Sequence, residues 1–391
     1  MATKLTTSFL ALPLLFLAAI SCLHVLGIRN GMVQMISDNL LSSRPVLPGS
    51  DIPLRTHWTG LGLLDIDFSI MVTVFWSILN HHNLSLFIQG NHFFGFLMTC
   101  WILILLESHN QGPQSKTASR PYKYSYVLWG LVMEFAGVAV GLPAWCAFSL
   151  LRMSRASSSA EFTTITLADL ESLPFAFLLG AGLPILLMLV GARSPELPLW
   201  SRQTWIVVRL FHPVLVAMAH ALLKSIGPAP PADGRQQLER RMKRLGRLYS
   251  VAFWITASSH ILTVSAVLFA YLFPHLLPAH IVSSLSLASL WPVPSIWRGF
   301  VTKTDTIALG TSTFMTANEV ISTVSLLVWA WNVNRMALQS SSHMDHLGPS
   351  AVKPGVFALV FGPGAAAVAL IENRDRVPHQ RFTVTKGAKA C

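Results

Sequence analysis

Several acidic and basic residues of this sequence lie inside or beside long apolar runs, where an ionisable side chain is costly unless it has a partner. Such groups indicate a functional site by default. A carboxylic acid that is kept away from water can hold a proton and donate it. The residues inside the runs are Asp65, Asp67, Glu107, Glu134, Arg209 and Glu319, and those at their entrances are Asp169, Glu171 and Asp305.

Glu134 is the first candidate for a proton donor. It lies on a predicted helical stripe with Gly130, Gly137 and Gly141, and small residues at this spacing let helices pack closely. A carboxyl group on a packed face cannot reach water, so it either donates a proton in catalysis or makes a structural hydrogen bond between helices. Both interpretations remain open on the sequence alone.

Asp65 and Asp67 are two residues apart, which places them about 200° from each other around a helix. The face of Asp65 continues through Ser69 and Thr73, so we expect Asp65 to point into the protein. We expect the face of Asp67 to meet lipid or to be tightly packed, because its other residues are apolar. Alternatively, the helix begins after Asp67 and both acids cap it. The apolar residues of the Asp67 face are Ile70, Met71, Val74 and Ile78.

Asp305, Ser312 and Glu319 are spaced by seven residues, close to two helical turns, and therefore predict one polar stripe. Within a membrane such a stripe lines a cavity or a bundle core. Arg209 is either the counter-ion of one of the acids or reaches the membrane interface, and His260 is either a core residue or a functional one. In order of preference, the candidate catalytic residues are Glu134, Asp65, Glu319 and Asp305.

The composition indicates which elements position these acids. Of the 391 residues, 52% are hydrophobic and 12% are charged, whereas a soluble domain has about 25% charged residues. These values exclude a soluble enzyme, a disordered chain and a disulfide-rich secreted module. A membrane-spanning helix needs about 20 apolar residues, and the chain contains eight such runs. They predict an all-α, polytopic integral membrane bundle that forms one domain over residues 1–391. The runs are 9–28, 60–79, 86–106, 126–151, 173–190, 204–223, 250–273 and 307–331.

A ninth run, 356–371, is shorter and contains Pro363, so it is a short span, a re-entrant piece or an interfacial helix. The first run is too long for a typical signal-peptide core, and we interpret it as a retained helix. With eight spans, the positive-inside rule places both termini and the basic loop near 224–249 in the cytosol. We expect a multi-pass protein of the endoplasmic reticulum that contacts membrane lipids. The net charge of +11 comes largely from loops between apolar runs, so we expect no nucleic-acid partner.

The sequence contains no motif for a metal, a nucleotide or a covalent nucleophile. Walker A, H-E-x-x-H, G-x-S-x-G, C-x-x-C and the diphosphate-binding DDxxD motif are all absent. The four cysteines have no metal-ligand spacing. We therefore expect no metal and no cofactor.

Five segments together resemble the fungal membrane-bound terpene cyclases of the ascochlorin/ascofuranone (AscI-like) type, and they cover roughly residues 59–331. Asp67 is not a position that we associate with this family, so the resemblance implies no role for it. In chain order, the segments are Gly60-Leu61-Gly62-Leu63-Leu64-Asp65, Gly141-Leu142-Pro143 after the run bearing Glu134, Leu173-Pro174, Trp205–Pro213, and Asp305 with Gly310.

The resemblance implies a metal-independent enzyme of the isomerase or lyase class that acts on a lipophilic, prenylated small molecule. In this family a farnesyl-type chain on an aromatic or polyketide-derived head, often epoxidised, is cyclised after protonation of an epoxide or an alkene. The products are meroterpenoid secondary metabolites. A membrane alkene isomerase of the sterol-isomerase type and a proton-coupled transporter remain alternatives. The sequence does not specify the head group or the prenyl length of the substrate. It also leaves open the ring pattern of the product and the oligomeric state of the protein.

Overall fold

The fold is all-helical, as predicted, because long apolar runs satisfy their backbone hydrogen bonds within each helix. The computed structural model describes residues 2–80, 83–109, 125–155, 165–191, 201–226, 234–292, 296, 303–339 and 352–387. Within these ranges no strand forms, and Val46 and Pro53 make one isolated bridge.

The helices are numbered in chain order, and π-helical turns at Ser21–Val25 and Leu178–Gly182 continue α1 into α2 and α8 into α9. Their bounds are α1 (Ala2–Ile20), α2 (Leu26–Arg29), α3 (Met32–Leu40), α4 (Gly62–Leu79), α5 (Leu84–His109), α6 (Ser125–Ala136), α7 (Val138–Arg155), α8 (Leu167–Phe177), α9 (Leu183–Val190), α10 (Arg202–Leu210), α11 (His212–Ile226), α12 (Gly234–Leu272), α13 (Ala279–Ser284), α14 (Leu287–Leu290), α15 (Ile307–Gln339), α16 (Val352–Phe361) and α17 (Pro363–Gly387).

Among the described residues, five helical segments are long and apolar enough to cross a membrane, and the bent pair α10–α11 adds a sixth if it counts as one span. This number is smaller than the eight predicted spans. Helix α15 is long enough, with 33 residues, but threonine, serine, asparagine and glutamate side chains interrupt its apolar sequence. The five segments are Ala11–Arg29, Gly62–Leu79, Leu84–His109, Leu167–Val190 and Leu238–Leu272.

The predicted run 126–151 forms two helices, α6 and α7, which fold back on each other at Gly137. Gly137 has a φ of +94°, a conformation that L side chains rarely adopt. Gly141 on α7 packs so tightly against α6 that an added Cβ would lie 2.4 Å from Cγ of Met133. The predicted glycine stripe around Glu134 is therefore wrong, because its members lie on two helices and in the turn between them rather than on one face.

The predicted ninth run is also broken by a glycine. Gly362 has a φ of +90° and joins α16 to α17, which pack against each other. His260 of α12 lies directly against this turn, since a Cβ on Gly362 would be 2.9 Å from Cβ of His260. The segment is thus a pair of packed helices rather than one straight span.

One hydrophobic core connects the N-terminal and C-terminal helices. It extends from Leu12 in α1 to Ile371 in α17, and its largest buried rings include Trp101 of α5, Trp145 of α7 and Trp329 of α15. Helix α5 packs on α12, and α15 packs on both α7 and α17. The central position of α5 and α15 holds their polar side chains away from the surface.

Candidate functional site

A cavity of about 380 Å³ lies between α3, α4, α5, α15 and the α6–α7 turn, and we call it the central cavity. Most of its lining residues are apolar. Four described residues bring ionisable groups to the wall, namely His24, Asp67, Glu134 and Arg209. The phenyl rings in the wall are those of Phe75, Phe93, Phe94, Phe135 and Phe314.

Glu134 and Arg209 form an ion pair on the wall of the central cavity, and both side chains are buried. The pair joins the last turn of α6 to the last turn of α10. His212 Nδ1 lies 3.5 Å from the second carboxyl oxygen of Glu134. The Arg209 guanidinium also lies over the ring of Phe75, 4.4 Å from its centroid, which is a favourable cation–π position. Of the two predicted roles for Arg209, the structure confirms that of counter-ion.

Arg209 has hydrogen-bond donors to spare. Its Nε and Nη1 atoms are buried and have no acceptor among the residues that the structure describes. An unsatisfied buried donor costs about 1–3 kcal/mol. Because Arg209 lines the central cavity, an oxygen atom of a bound ligand is a suitable acceptor for these donors.

Asp67 is the second acid on the wall of the central cavity. It is half-buried, and its carboxyl group makes no hydrogen bond within the described ranges. Val74 and Ile78 on its helix face are buried core residues, so the predicted tight packing is confirmed for them. The same face, with Ile70 and Met71, also lines this cavity, which the prediction did not include. The sequence did contain a signal for Asp67, since an apolar face with one acid suits a cavity that holds a lipophilic ligand.

Asp65 points to the segment before α4 and not to the central cavity. Its carboxylate accepts hydrogen bonds from the amide and the hydroxyl of Thr59, at 2.7 and 2.8 Å, and from the amide of Gly60 at 3.2 Å. It is buried, as expected, and it ties the preceding loop to the first turn of α4. The structure does not bring Asp65 together with Glu134, and a catalytic role for Asp65 stays a prediction.

Glu319 lies outside the central cavity, in a row of side chains that we call the Glu–His–His chain. Its Oε1 atom is 2.5 Å from Nδ1 of His92, and Nε2 of His92 is 3.0 Å from Nδ1 of His260. His260 Nε2 then lies 3.2 Å from the carbonyl oxygen of Leu359. Trp291 donates its indole N–H to the other oxygen of Glu319 at 3.1 Å. The chain links α5, α12 and α15 to α16.

Hydrogen bonding sets the tautomers within the Glu–His–His chain. The Leu359 carbonyl can only accept, so a neutral His260 donates from Nε2 and accepts at Nδ1. His92 then donates from Nε2 to His260. Its Nδ1 atom contacts the carboxyl of Glu319 without a hydrogen bond of good geometry. The Glu134–Arg209 pair differs, because a guanidinium keeps its protons.

The polar stripe predicted for the last long run is present within α15 but does not extend to Asp305. Ser312 and Glu319 both face α5, where Ser312 donates to Oε1 of Gln89 at 2.9 Å and Glu319 meets His92. Asp305 is exposed and precedes the first residue of α15. The structure therefore separates Asp305 from Glu319, and the catalytic roles proposed for both stay predictions.

Sequence reasoning missed His92, the partner of Glu319. A signal exists in the spacing, because Gln89 and His92 lie one turn apart within an apolar run and so predict a polar patch on one face of α5. That patch meets the Ser312 and Glu319 stripe of α15. Two matching polar patches on separate helices are what a buried interhelical contact requires.

His109, Asp169 and His220 form the arrangement of described residues that comes nearest to a metal site, with potential ligand atoms within 4.8 Å of one another. A cation already meets this carboxylate, since Nζ of Lys224 is 2.6 Å from Oδ1 of Asp169. Thr166 donates its hydroxyl to the other oxygen at 2.7 Å. With Lys224 in place, the cluster does not need a metal ion, and the expectation of a metal-free protein stays a prediction.

The fold and the central cavity define a class of helical proteins that place ionisable groups on the wall of an apolar cavity between membrane-length helices. Within that class, the chain belongs to the CtvD-domain family, whose domain matches residues 7–378. The predicted resemblance to AscI-like proteins is confirmed by this match and by the individual relatives.

The relatives are similar over almost their whole length. Terpene cyclase ctvD of Aspergillus terreus is 24% identical over 362 residues, which cover 90% of this chain and 96% of that protein. Terpene cyclase ascI of Acremonium egyptiacum is 24% identical over 363 residues, covering 91% and 88%. Terpene cyclase sdgD of Emericella nidulans is 24% identical over 378 residues, covering 94% of each. No solved structure matches the chain significantly.

Proposed function

We propose that this protein is a membrane-bound terpene cyclase of fungal secondary metabolism that closes rings in the prenyl chain of a lipophilic substrate. The observation that carries the proposal is the position of Asp67 and Glu134 on the wall of one apolar cavity lined by phenyl rings. The names of its relatives, all terpene cyclases, support the same class. The proposed substrate is a farnesyl-type chain on an aromatic or polyketide-derived head.

Cyclisation of this type needs a proton donor, a cation-stabilising surface and a base. The proton adds to an epoxide oxygen or to an alkene carbon, and the resulting carbocation accepts electrons from the next double bond, which closes a ring. A final proton loss returns the proton, so substrate and product have the same composition. A water-poor cavity prevents early capture of the cation, and phenyl faces attract positive charge.

We assign proton donation to Glu134. Burial favours its neutral form, whereas the charge of Arg209 favours its carboxylate, so the two influences oppose each other. After Glu134 gives up its proton, the product of that step is the ion pair with Arg209 seen in the structure. The free N–H groups of Arg209 hold an oxygen atom of the substrate, and Asp67 accepts the proton that is lost at the end.

The direct test is incubation of microsomes containing the protein with a farnesylated phenol and with its terminal epoxide. A cyclase yields a product of unchanged mass with at least one additional ring. Asp67→Asn and Glu134→Gln each remove a carboxyl group from the cavity and should slow turnover by about 10²-fold or more. Asp51→Asn, a change of the same kind on an exposed loop, should leave turnover intact.

Other outcomes would contradict the proposal. A shifted double bond without a new ring indicates an alkene isomerase. Proton-coupled uptake into vesicles without any new product indicates a transporter. Normal turnover by both cavity variants, at normal expression, would show that the reaction does not use the acids of the central cavity.

The apolar helices support the proposal that the protein is integral to a membrane, and we propose the endoplasmic reticulum. In a membrane, the helices present their exposed leucine, valine and phenylalanine side chains to lipid. Density-gradient fractionation followed by carbonate extraction tests this. Release of the protein into the carbonate supernatant would contradict integral insertion.

A further inference from the structure

A groove of about 560 Å³ lies between α5, α8 and α12, and none of its lining residues lines the central cavity. Its walls are largely apolar. The charged residues of the groove are Glu171, Arg244 and Arg247. They share one end, because Glu171 is 3.8 Å from Arg244, and most of the apolar lining residues of α8 and α12 follow later in each helix. The apolar walls include Ile102, Leu106, Leu173, Phe177, Val251 and Ile255.

The length of the groove matches the depth of one membrane leaflet. Along α12 the lining extends from Arg244 to Ile255, which corresponds to about 16 Å at 1.5 Å per residue. Half of the hydrocarbon thickness of a bilayer is about 15 Å. All three helices that form the groove belong to segments apolar enough to cross a membrane. A groove of this length accommodates an acyl chain whose headgroup lies at the membrane surface.

The charged end of the groove is suited to an anion. Arg244 and Arg247 are exposed and one helical turn apart. Glu171 offsets part of the charge of Arg244, at a contact distance of 3.8 Å. Arg247 makes no ion pair with any residue in the described part of the chain. The groove end therefore carries a net positive charge, and guanidinium groups match the geometry of phosphate oxygens.

We propose that this groove binds one anionic phospholipid, with its phosphate between Arg244 and Arg247 and an acyl chain along Val251 and Ile255. Charge complementarity at the mouth and the leaflet-length apolar wall identify this occupant. The site is separate from the central cavity, so lipid binding and ring closure can be measured independently.

The test uses the purified full-length protein in neutral detergent, with phosphatidic acid and phosphatidylcholine of identical acyl chains as probes. Native mass spectrometry measures the fraction of protein that retains each lipid. We expect a preference for phosphatidic acid. The double variant Arg244→Gln/Arg247→Gln should weaken phosphatidic acid binding by at least about fivefold, the factor that one cation contributes near an anionic surface. Phosphatidylcholine binding should not change.

Three further variants distinguish a specific lipid site from general surface charge. Arg240→Gln/Lys243→Gln removes the same charge from exposed residues of α12 that do not line the groove, and it should retain the preference. Val251→Trp fills the apolar wall at an exposed position and should weaken binding of both lipids. Arg244→Lys/Arg247→Lys keeps the charge and should keep most of the binding.

Three results would overturn the proposal. The first is equal retention of the two lipids by the unaltered protein. The second is an equal loss of binding in the control variant at positions 240 and 243. The third is full competition by millimolar inorganic phosphate, because the acyl chain would then contribute nothing. Helical content by circular dichroism checks that each variant folds, and cyclisation measured on the same samples shows whether the proposed function holds.

Discussion

The two buried glutamates Glu134 and Glu319 differ in what surrounds them. Glu134 pairs with Arg209, whose positive charge is permanent, and both side chains line the central cavity. Glu319 contacts His92 and Trp291 in a closed chain of side chains, outside that cavity. Burial alone therefore does not identify a catalytic acid, since both are buried. Access to a space that can hold a substrate separates them.

A broken helix pair accompanies each acid. The Gly137 turn lies three residues after Glu134, and it is fixed by Asn318, whose side-chain oxygen accepts a hydrogen bond from the amide of Ala139 at 3.0 Å. The Gly362 turn packs on His260 and directs the Leu359 carbonyl to the Glu–His–His chain. The Gly137 turn thus shapes the wall of the central cavity, whereas the Gly362 turn positions the Leu359 carbonyl at the end of the Glu–His–His chain.

The largest effect should separate the two acids directly. Glu134→Gln keeps the shape of the side chain but removes its transferable proton, so we expect turnover to fall by about 10²–10⁴-fold. Glu319→Gln can still accept from Trp291, and it lies outside the cavity, so we expect less than about a tenfold loss. Initial rates at equal membrane expression measure both. The reverse order would assign the proton donor to the Glu–His–His chain.

Removal of Arg209, the permanent cation on the wall of the central cavity, should lower the free energy of unfolding. Arg209→Met leaves Glu134 buried without its counter-ion, which typically costs about 3–5 kcal/mol of folding free energy. The double variant Glu134→Gln/Arg209→Met removes both charges and should recover part of that loss. Thermal unfolding in detergent gives the comparison. An unchanged melting temperature for Arg209→Met would show that the ion pair does not contribute to stability.

The two glycine turns should differ in both stability and activity. Gly137→Ala and Gly362→Ala each force a side chain into a left-handed conformation, at about 1–2 kcal/mol. Gly362→Ala should lose more stability, because its added Cβ would lie 2.9 Å from Cβ of His260, whereas that of Gly137→Ala would meet only the terminal Cδ1 of Leu23, at 3.0 Å. Only Gly137→Ala should also reduce turnover of the remaining folded protein, because it displaces Glu134. Gly246→Ala on α12 is the control, since no atom lies within 4 Å of the added Cβ. Equal loss of turnover in both turn variants would contradict this difference.

The smallest effect should come from chelation. No step of the proposed reaction uses a metal, so we expect EDTA to change microsomal turnover by less than about twofold. If EDTA abolished turnover and Zn²⁺ restored it, the cluster of His109, Asp169 and His220 would be the first place to look for the ion. Restoration by Mg²⁺ would instead favour a diphosphate-containing substrate.

Prediction from the sequence succeeded where a local pattern decides the outcome. The helical class follows from apolar runs, and the Ser312 and Glu319 stripe follows from a seven-residue spacing within one helix. It did not include the cavity beside the face of Asp67, which was predicted to meet lipid or to be tightly packed and is in part tightly packed. An apolar face can meet lipid, a core or a cavity for a lipophilic ligand, and only the neighbouring helices decide among the three.

The sequence by itself determined that this protein is helical, that its long helices are apolar and that few acids lie within them. Those properties depend on residue type and on spacing along one helix. The tertiary structure decided that Glu134 pairs with Arg209, that Asp67 shares its cavity and that His92 joins Glu319. The physical reason is that each of these contacts joins helices far apart in the sequence. Their relative position depends on packing and on two left-handed glycine turns, which no single segment encodes.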